Sequence, residues 1–155
     1  MDFKLASSAF ENGAVIPRRH TCNGEDASPS FAWHGAPEGA KSFALICHDP
    51  DAPGGTFHHW AIFGIPAGWQ QLAEKIPRRE VLSDGVRQAV NDFGKIGYGG
   101  PCPPKGHGTH HYHFQLLALD VDGLSLAGRV DCRQVASAAR AHLLAAAEIV
   151  GLFSR

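Results

Sequence analysis

A mainly β domain is expected from three features of the sequence: an abundance of turn formers, apolar runs of strand length, and one helical pattern near the end. The chain has 18 glycines and 10 prolines in 155 residues, more than a helical protein tolerates, because both residue types weaken helix interiors. Apolar runs bounded by turn signals at residues 41–49, 58–66 and 110–119 have the length of strands. Strands followed by one helix predict a β-rich α+β domain or a β-sandwich with a helical appendage, not the alternating order of a doubly wound fold. One domain spanning 1–155 is expected, long enough to bury about 70% of the surface of its unfolded chain.

Taken in order, residues 1–16 carry short apolar groups (Phe3, Leu5, Phe10, Val15, Ile16) broken by Asn12-Gly13, which predicts an edge strand and a hairpin turn. Residues 17–29 are a loop by composition. Asn23, Glu25 and Asp26 offer oxygen donors there but do not match a calcium loop, so they are read as turn formers. A short strand at 30–33 and a turn at 35–39 precede the run at 41–49, where alternation puts Phe43, Leu45, Cys47 and Asp49 on one face. Two prolines and a glycine pair make 50–55 a rigid turn, and 58–66 is a second buried strand. The polar ends of these two strands therefore meet at one edge of the sheet.

Residues 69–92 show weak periodicity and no element is assigned beyond a turn at Ser83-Asp84-Gly85. In 110–119 alternation sets His110, Tyr112, Phe114, Leu116 and Ala118 on one face and His111, His113, Gln115, Leu117 and Leu119 on the other. Asp131 with Gln134 three residues later resembles a capping box. Val135, Ala139, Leu143, Ala146 and Val150 then recur at helical spacing up to Gly151, predicting one amphipathic helix over a sheet face.

The charge balance narrows the partners. Lysine plus arginine (14) against aspartate plus glutamate (15) leaves a formal charge of -1, without the basic excess that neutralises a run of phosphates, so nucleic acid is not an expected partner. No apolar run approaches the roughly 20 residues of a membrane span, and the N-terminus lacks a signal-peptide pattern. The four cysteines (22, 47, 102, 132) have neither the paired spacing of a zinc site nor the density of a disulfide scaffold, so reduced thiols and a cytoplasmic location are expected.

Chemistry concentrates in residues 97–120, where glycines, prolines and Cys102 lead into a histidine-rich strand. Adjacent strand histidines point to opposite faces, so no metal site is expected from His58, His59, His107, His110, His111 and His113. A hydrolase or thiol enzyme would use a His-Asp pair or a Cys102 thiolate, although no nucleophile motif surrounds them. An anion site needs fewer parts: histidine N–H groups, a tyrosine hydroxyl, and the backbone N–H groups of Gly99, Gly100 and Cys102.

DPDAP (49–53), HHW (58–60) and YGGPCPPKGHGTHHYHFQLLALD (98–120) strongly resemble the two signature regions of the phosphatidylethanolamine-binding protein family, in its bacterial Raf-kinase-inhibitor-like branch. Weaker likeness through residues 20–33, 37–45 and 91–98 extends the resemblance over most of the chain. It implies a β-sandwich of a large antiparallel sheet and a smaller sheet, with a small pocket at one end for phosphate and phosphoryl head groups. By the same resemblance the pocket residues are Asp49, Asp51, His59, the loop Gly100, Pro101, Cys102, Pro103 and Pro104, and His110 and Tyr112. A homodimer is also implied.

Three positions depart from the family. His111 stands where arginine is common, which makes a charge at the rim depend on pH. The short loop from Asp51 to His59 lacks the tyrosine that eukaryotic members use for ligand contact, and their C-terminal extension has no counterpart. The expectation is a non-enzymatic protein without a cofactor that binds a small phosphorylated or anionic ligand and regulates a protein partner; the alternative is the hydrolase or thiol enzyme in the same pocket.

Overall fold

A computed structural model describes residues 2–155. Its strands in chain order are β1 (Lys4–Ala6), β2 (Phe31–His34), β3 (Ser42–Asp49), β4 (Phe57–Pro66), β5 (Gln71–Leu72), β6 (Arg87–Gln88), β7 (His110–Leu119) and β8 (Leu143–Phe153), with helix α1 (Cys132–Arg140) before β8. They form a three-stranded sheet, β1-β2-β5, and a five-stranded sheet, β6-β4-β3-β7-β8. Every strand pairing within them is antiparallel. The mainly β fold of two sheets with a helix towards the C-terminus is thus the one expected.

The near-continuous apolar character of β3 and β4 reflects a sheet covered on both faces. Phe43, Leu45, Cys47, Tyr112, Phe114 and Leu116 meet Leu5, Phe31 and Trp33 of the small sheet in the main core. On the opposite face Ala44, Ile46, Ala61, Phe63 and Leu117 pack under Val135, Ala136 and Ala139 of α1. The face assignments made for β3 and β7 from alternation hold throughout.

Two β-bulges interrupt β4. Leu45 faces Ile62 but Phe43 faces Ile65, so an extra residue lies there, next to Gly64 at φ +70°. Cys47 faces Trp60 but His48 faces His58, which leaves His59 as an extra residue on β4. A bulge resets the side-chain alternation. As a result His59 and Trp60, neighbours in sequence, both lie on the inner face, His59 edge-on against Tyr112 and Trp60 in the main core.

Two expectations are corrected. The helix starts with the predicted capping box, Gln134 N–H donating to the Asp131 side chain at 2.8 Å and Asp131 N–H to the Gln134 side chain at 2.9 Å. It ends at Arg140, however, and Leu143, Ala146 and Val150, read as its continuation up to Gly151, belong to strand β8, which is paired along the length of β7. Ala147, Ile149 and Phe153 also satisfy a period of two, and pairing with a central strand overrides the helix propensity of the alanines. Asn12-Gly13 makes a turn but no hairpin. The chain after it runs beside β8 through Gly13 N–H to the Val150 carbonyl (2.7 Å) and Ile16 N–H to the Leu152 carbonyl (2.8 Å).

Candidate functional site

At one end of the large sheet the inner-face residues change from apolar to polar. The last residue of β3 is Asp49, the bulge of β4 is His59, and the first inner residues of β7 are His110 and Tyr112. Their exposures are 3% for Asp49, 3% for His59, 2% for His110 and 0% for Tyr112. With Ala52, Pro53, Phe57, Phe93, Cys102, Pro103 and Pro104 they line a cavity of about 200 Å³. A cavity of this size has room for a small group only.

Asp49 is fully engaged. Its Oδ1 accepts the Asp51 backbone N–H (2.8 Å) and its Oδ2 the Nδ1–H of His110 (2.6 Å). The carboxylate therefore orients His110 and has its charge met by donors. His110 Nε2 lies 2.6 Å from Nδ1 of His107, so both nitrogens of the His110 ring are occupied.

His59 donates its Nδ1–H to the Gly99 carbonyl at 2.7 Å, which leaves Nε2 as the bare nitrogen of the neutral ring. Burial pushes its pKa below 6.5, against the backbone carbonyls of Gly99 and Gly100 and the Asp49 charge, which favour the imidazolium. Burial likewise pushes the Tyr112 hydroxyl far above its ordinary range. Tyr112 is therefore a hydroxyl donor at any physiological pH.

The glycine-proline loop forms one wall, but its glycines act differently from the expectation. Gly99 N–H donates to the His59 carbonyl (3.0 Å) and Gly100 N–H to Asp26 Oδ1 (2.8 Å). These donors, predicted for an anion, are consumed in pinning the loop. Gly100 and Pro101 stand behind the cavity, not on its lining. A Cβ on Gly100 would lie 2.4 Å from both the His20 carbonyl oxygen and Asp26 Oδ1, which is why glycine is required there.

Cys102 is not a thiol. It forms a disulfide with Cys22, 80 residues away, which corrects the expectation of reduced cysteines throughout. The loops lie side by side because Tyr98 hydroxyl donates to the His20 carbonyl (2.6 Å) and Cys22 N–H to the Pro101 carbonyl (3.1 Å). The Cα atoms stand 5.4 Å apart, within disulfide reach. Such contacts leave no spacing signal in the sequence. The thiol-enzyme alternative loses its nucleophile, and the free cysteines offer no substitute: Cys47 and Cys132 are buried, with burial pushing the Cys132 thiol up to about 12 and that of Cys47 well up.

Asp51 sits at the rim. Its Oδ2 accepts the backbone N–H and the ring Nδ1–H of His111, each at 2.8 Å, and the ring hydrogen bond is the main cause holding its carboxyl below the ordinary value. Sequence reading missed Phe57 and Phe93, which pack edge-on as a second wall, and Asp26 and Cys22, which hold the loop. It also missed Arg155, whose Nε donates to the Pro103 carbonyl at 2.7 Å.

The sequence profile of the family described as phosphatidylethanolamine-binding protein matches residues 6–154. The "UPF0098 protein" of Aquifex aeolicus is 47% identical, over 98% of this chain and 88% of its own. The Escherichia coli "UPF0098 protein YbhB" is 39% identical, over 97% of this chain and 99% of its own. The crystal structure of Escherichia coli YbcL superimposes with a TM-score of 0.94 at 36% identity, covering 100% of this chain and 99% of that one. With the two sheets, the signature regions and these relatives in agreement, the chain belongs to the phosphatidylethanolamine-binding protein family.

Proposed function

We propose that the protein is a non-enzymatic binding protein whose cavity takes phosphate or the phosphoryl head group of a larger molecule. The observation that carries this reading is the convergence of buried His59, His110 and Tyr112 on one small cavity, with Asp49 holding His110 in orientation. Rings and a hydroxyl fixed before the ligand arrives reduce the ordering cost of binding. An anion favours the imidazolium form of His59, so binding draws a proton onto its Nε2, or the ligand's own P–OH donates to that nitrogen.

An acid-base hydrolase would need a nucleophile beside His110 Nε2, and among the described residues the cavity lining offers no serine, threonine or free thiol, its Cys102 being held in the disulfide. The binding reading is therefore preferred. Asp51 and His111 are exposed at the rim, where a regulated protein partner or a second copy of the chain would meet the bound group. Disulfides persist in oxidising compartments, so the Cys22–Cys102 bridge supports a location in such a compartment, not in the reducing cytoplasm first expected.

Isothermal titration with phosphate and with phosphoethanolamine tests the proposal. Native protein is expected to bind both at millimolar concentration or better, with His110→Ala losing most of the affinity. The reading is wrong when neither compound binds at that concentration.

A further inference from the structure

His107 stands where a ligand of His110 would stand. Its Nδ1 is 2.6 Å from His110 Nε2, with the rings edge-on at 4.9 Å between centroids. Since His110 Nδ1 is bonded to Asp49, a single proton between the two histidines satisfies the last open position of the His110 ring. No ligand oxygen can reach Nε2 of His110 while His107 remains there.

His107 is also built to leave. It is exposed on the loop that precedes β7, flanked by Gly106 at φ +76° and Gly108 at φ +97°. Gly106 N–H donates to the Arg155 carbonyl (3.0 Å) and His107 N–H to the Pro104 carbonyl (3.1 Å), so the backbone stays in place. A Cβ at either glycine would meet nothing within 4 Å, which leaves the His107 side chain open space into which to swing. The floor below does not share this freedom: His110 is clamped by Asp49, and the loop before it is tied down by the disulfide and by Arg155 to Pro103.

We propose that His107 is a built-in competitor for the anion, capping His110 in the free protein and exchanged for a ligand oxygen on binding. This rests on the cavity being the anion site. His107 moves to solvent with its own Nδ1–H, and a proton from the ligand's P–OH or from solvent comes to lie between His110 Nε2 and the incoming oxygen. The exchange also sets specificity. A bond to a charged oxygen is roughly twice as strong as one between neutral groups, so a phosphoryl oxygen displaces His107 whereas an alcohol or amide oxygen does not.

The test is titration of the full chain with inorganic phosphate, comparing native protein with His107→Ala, alongside imidazole 15N NMR of the native protein with and without phosphate. Removing the competitor is expected to tighten phosphate binding about three- to tenfold, as loss of one neutral hydrogen bond in the free state implies. The His107 nitrogens of native protein are expected to move to solvent-like positions as phosphate is added. Equal or weaker binding by His107→Ala, or His107 signals unmoved by saturating phosphate, overturns the competitor role while native binding still upholds the anion pocket. Absence of phosphate binding by both proteins overturns the pocket reading and the competitor with it.

Discussion

His59 is the residue through which the site would respond to pH. Its Nδ1 is committed to the Gly99 carbonyl and burial favours its neutral form, so an anion has to raise its pKa on binding. Sulfate, which does not titrate in this range, is expected to bind more tightly as pH falls from 8 to 6. One linked proton gives up to about tenfold per pH unit, readable by titration calorimetry, and a His59→Gln variant should flatten the profile. Gly100 makes a contrasting prediction because it lies off the cavity lining. Gly100→Ala would drive a Cβ into the His20 carbonyl and Asp26, so phosphate binding and melting temperature should fall together, whereas His107→Ala, at an exposed loop position, should change binding with little loss of melting temperature. His59 and His110 were legible in the sequence through their motifs. The bonding of the Gly99 and Gly100 N–H groups was not, because their partners, the His59 carbonyl and Asp26, are 40 and 74 residues away.

Among the elements, β8 shows where local pattern fails. The run from Leu143 to Val150 satisfies a helical spacing and a period of two at once, and the partner strand decides between them. The same pairing makes Gly151 critical, since a Cβ there would lie 2.4 Å from Ile16 Cγ1 and 2.8 Å from the Phe10 ring. Gly151→Ala is expected to destabilise by about 1–3 kcal/mol through overpacking, seen as a lower denaturant midpoint. The helix that was foreseen rests on its cap, and Asp131→Ala should cost about 1 kcal/mol without altering the cavity. The β4 bulge that turns His59 inward had no sequence signal of its own. His-His-Trp reads as plain alternation until the pairing of β3 with β4 sets an extra residue between the ladder positions.

At the scale of the molecule, the fold class was readable because turn density and apolar run length need no partner, while the disulfide depends on two distant loops meeting. Closing a loop of 80 residues gives Cys22–Cys102 an entropic worth of about 4–5 kcal/mol on the chain-entropy account. Engineered cases fall short of that, so Cys22→Ser with Cys102→Ser should lower unfolding stability by about 2–4 kcal/mol, and reductant should do the same to native protein only. Acid should also weaken the fold. His48, whose pKa burial lowers to about 4, and His58 and His59, also lowered mainly by burial, stay neutral in the folded chain but take up protons near 6.5 once unfolded. The unfolded chain therefore binds more protons between those values, and stability is lost as pH falls from about 6.5 towards 4. Phosphoryl binding in the cavity is tested most directly by a crystal structure of the protein with phosphoethanolamine. A phosphoryl group within hydrogen-bond distance of His59 Nε2 and His110 Nε2, with His107 withdrawn, is the predicted result; a cavity without the group at saturating concentration, or the group bound elsewhere on the molecule, would contradict it.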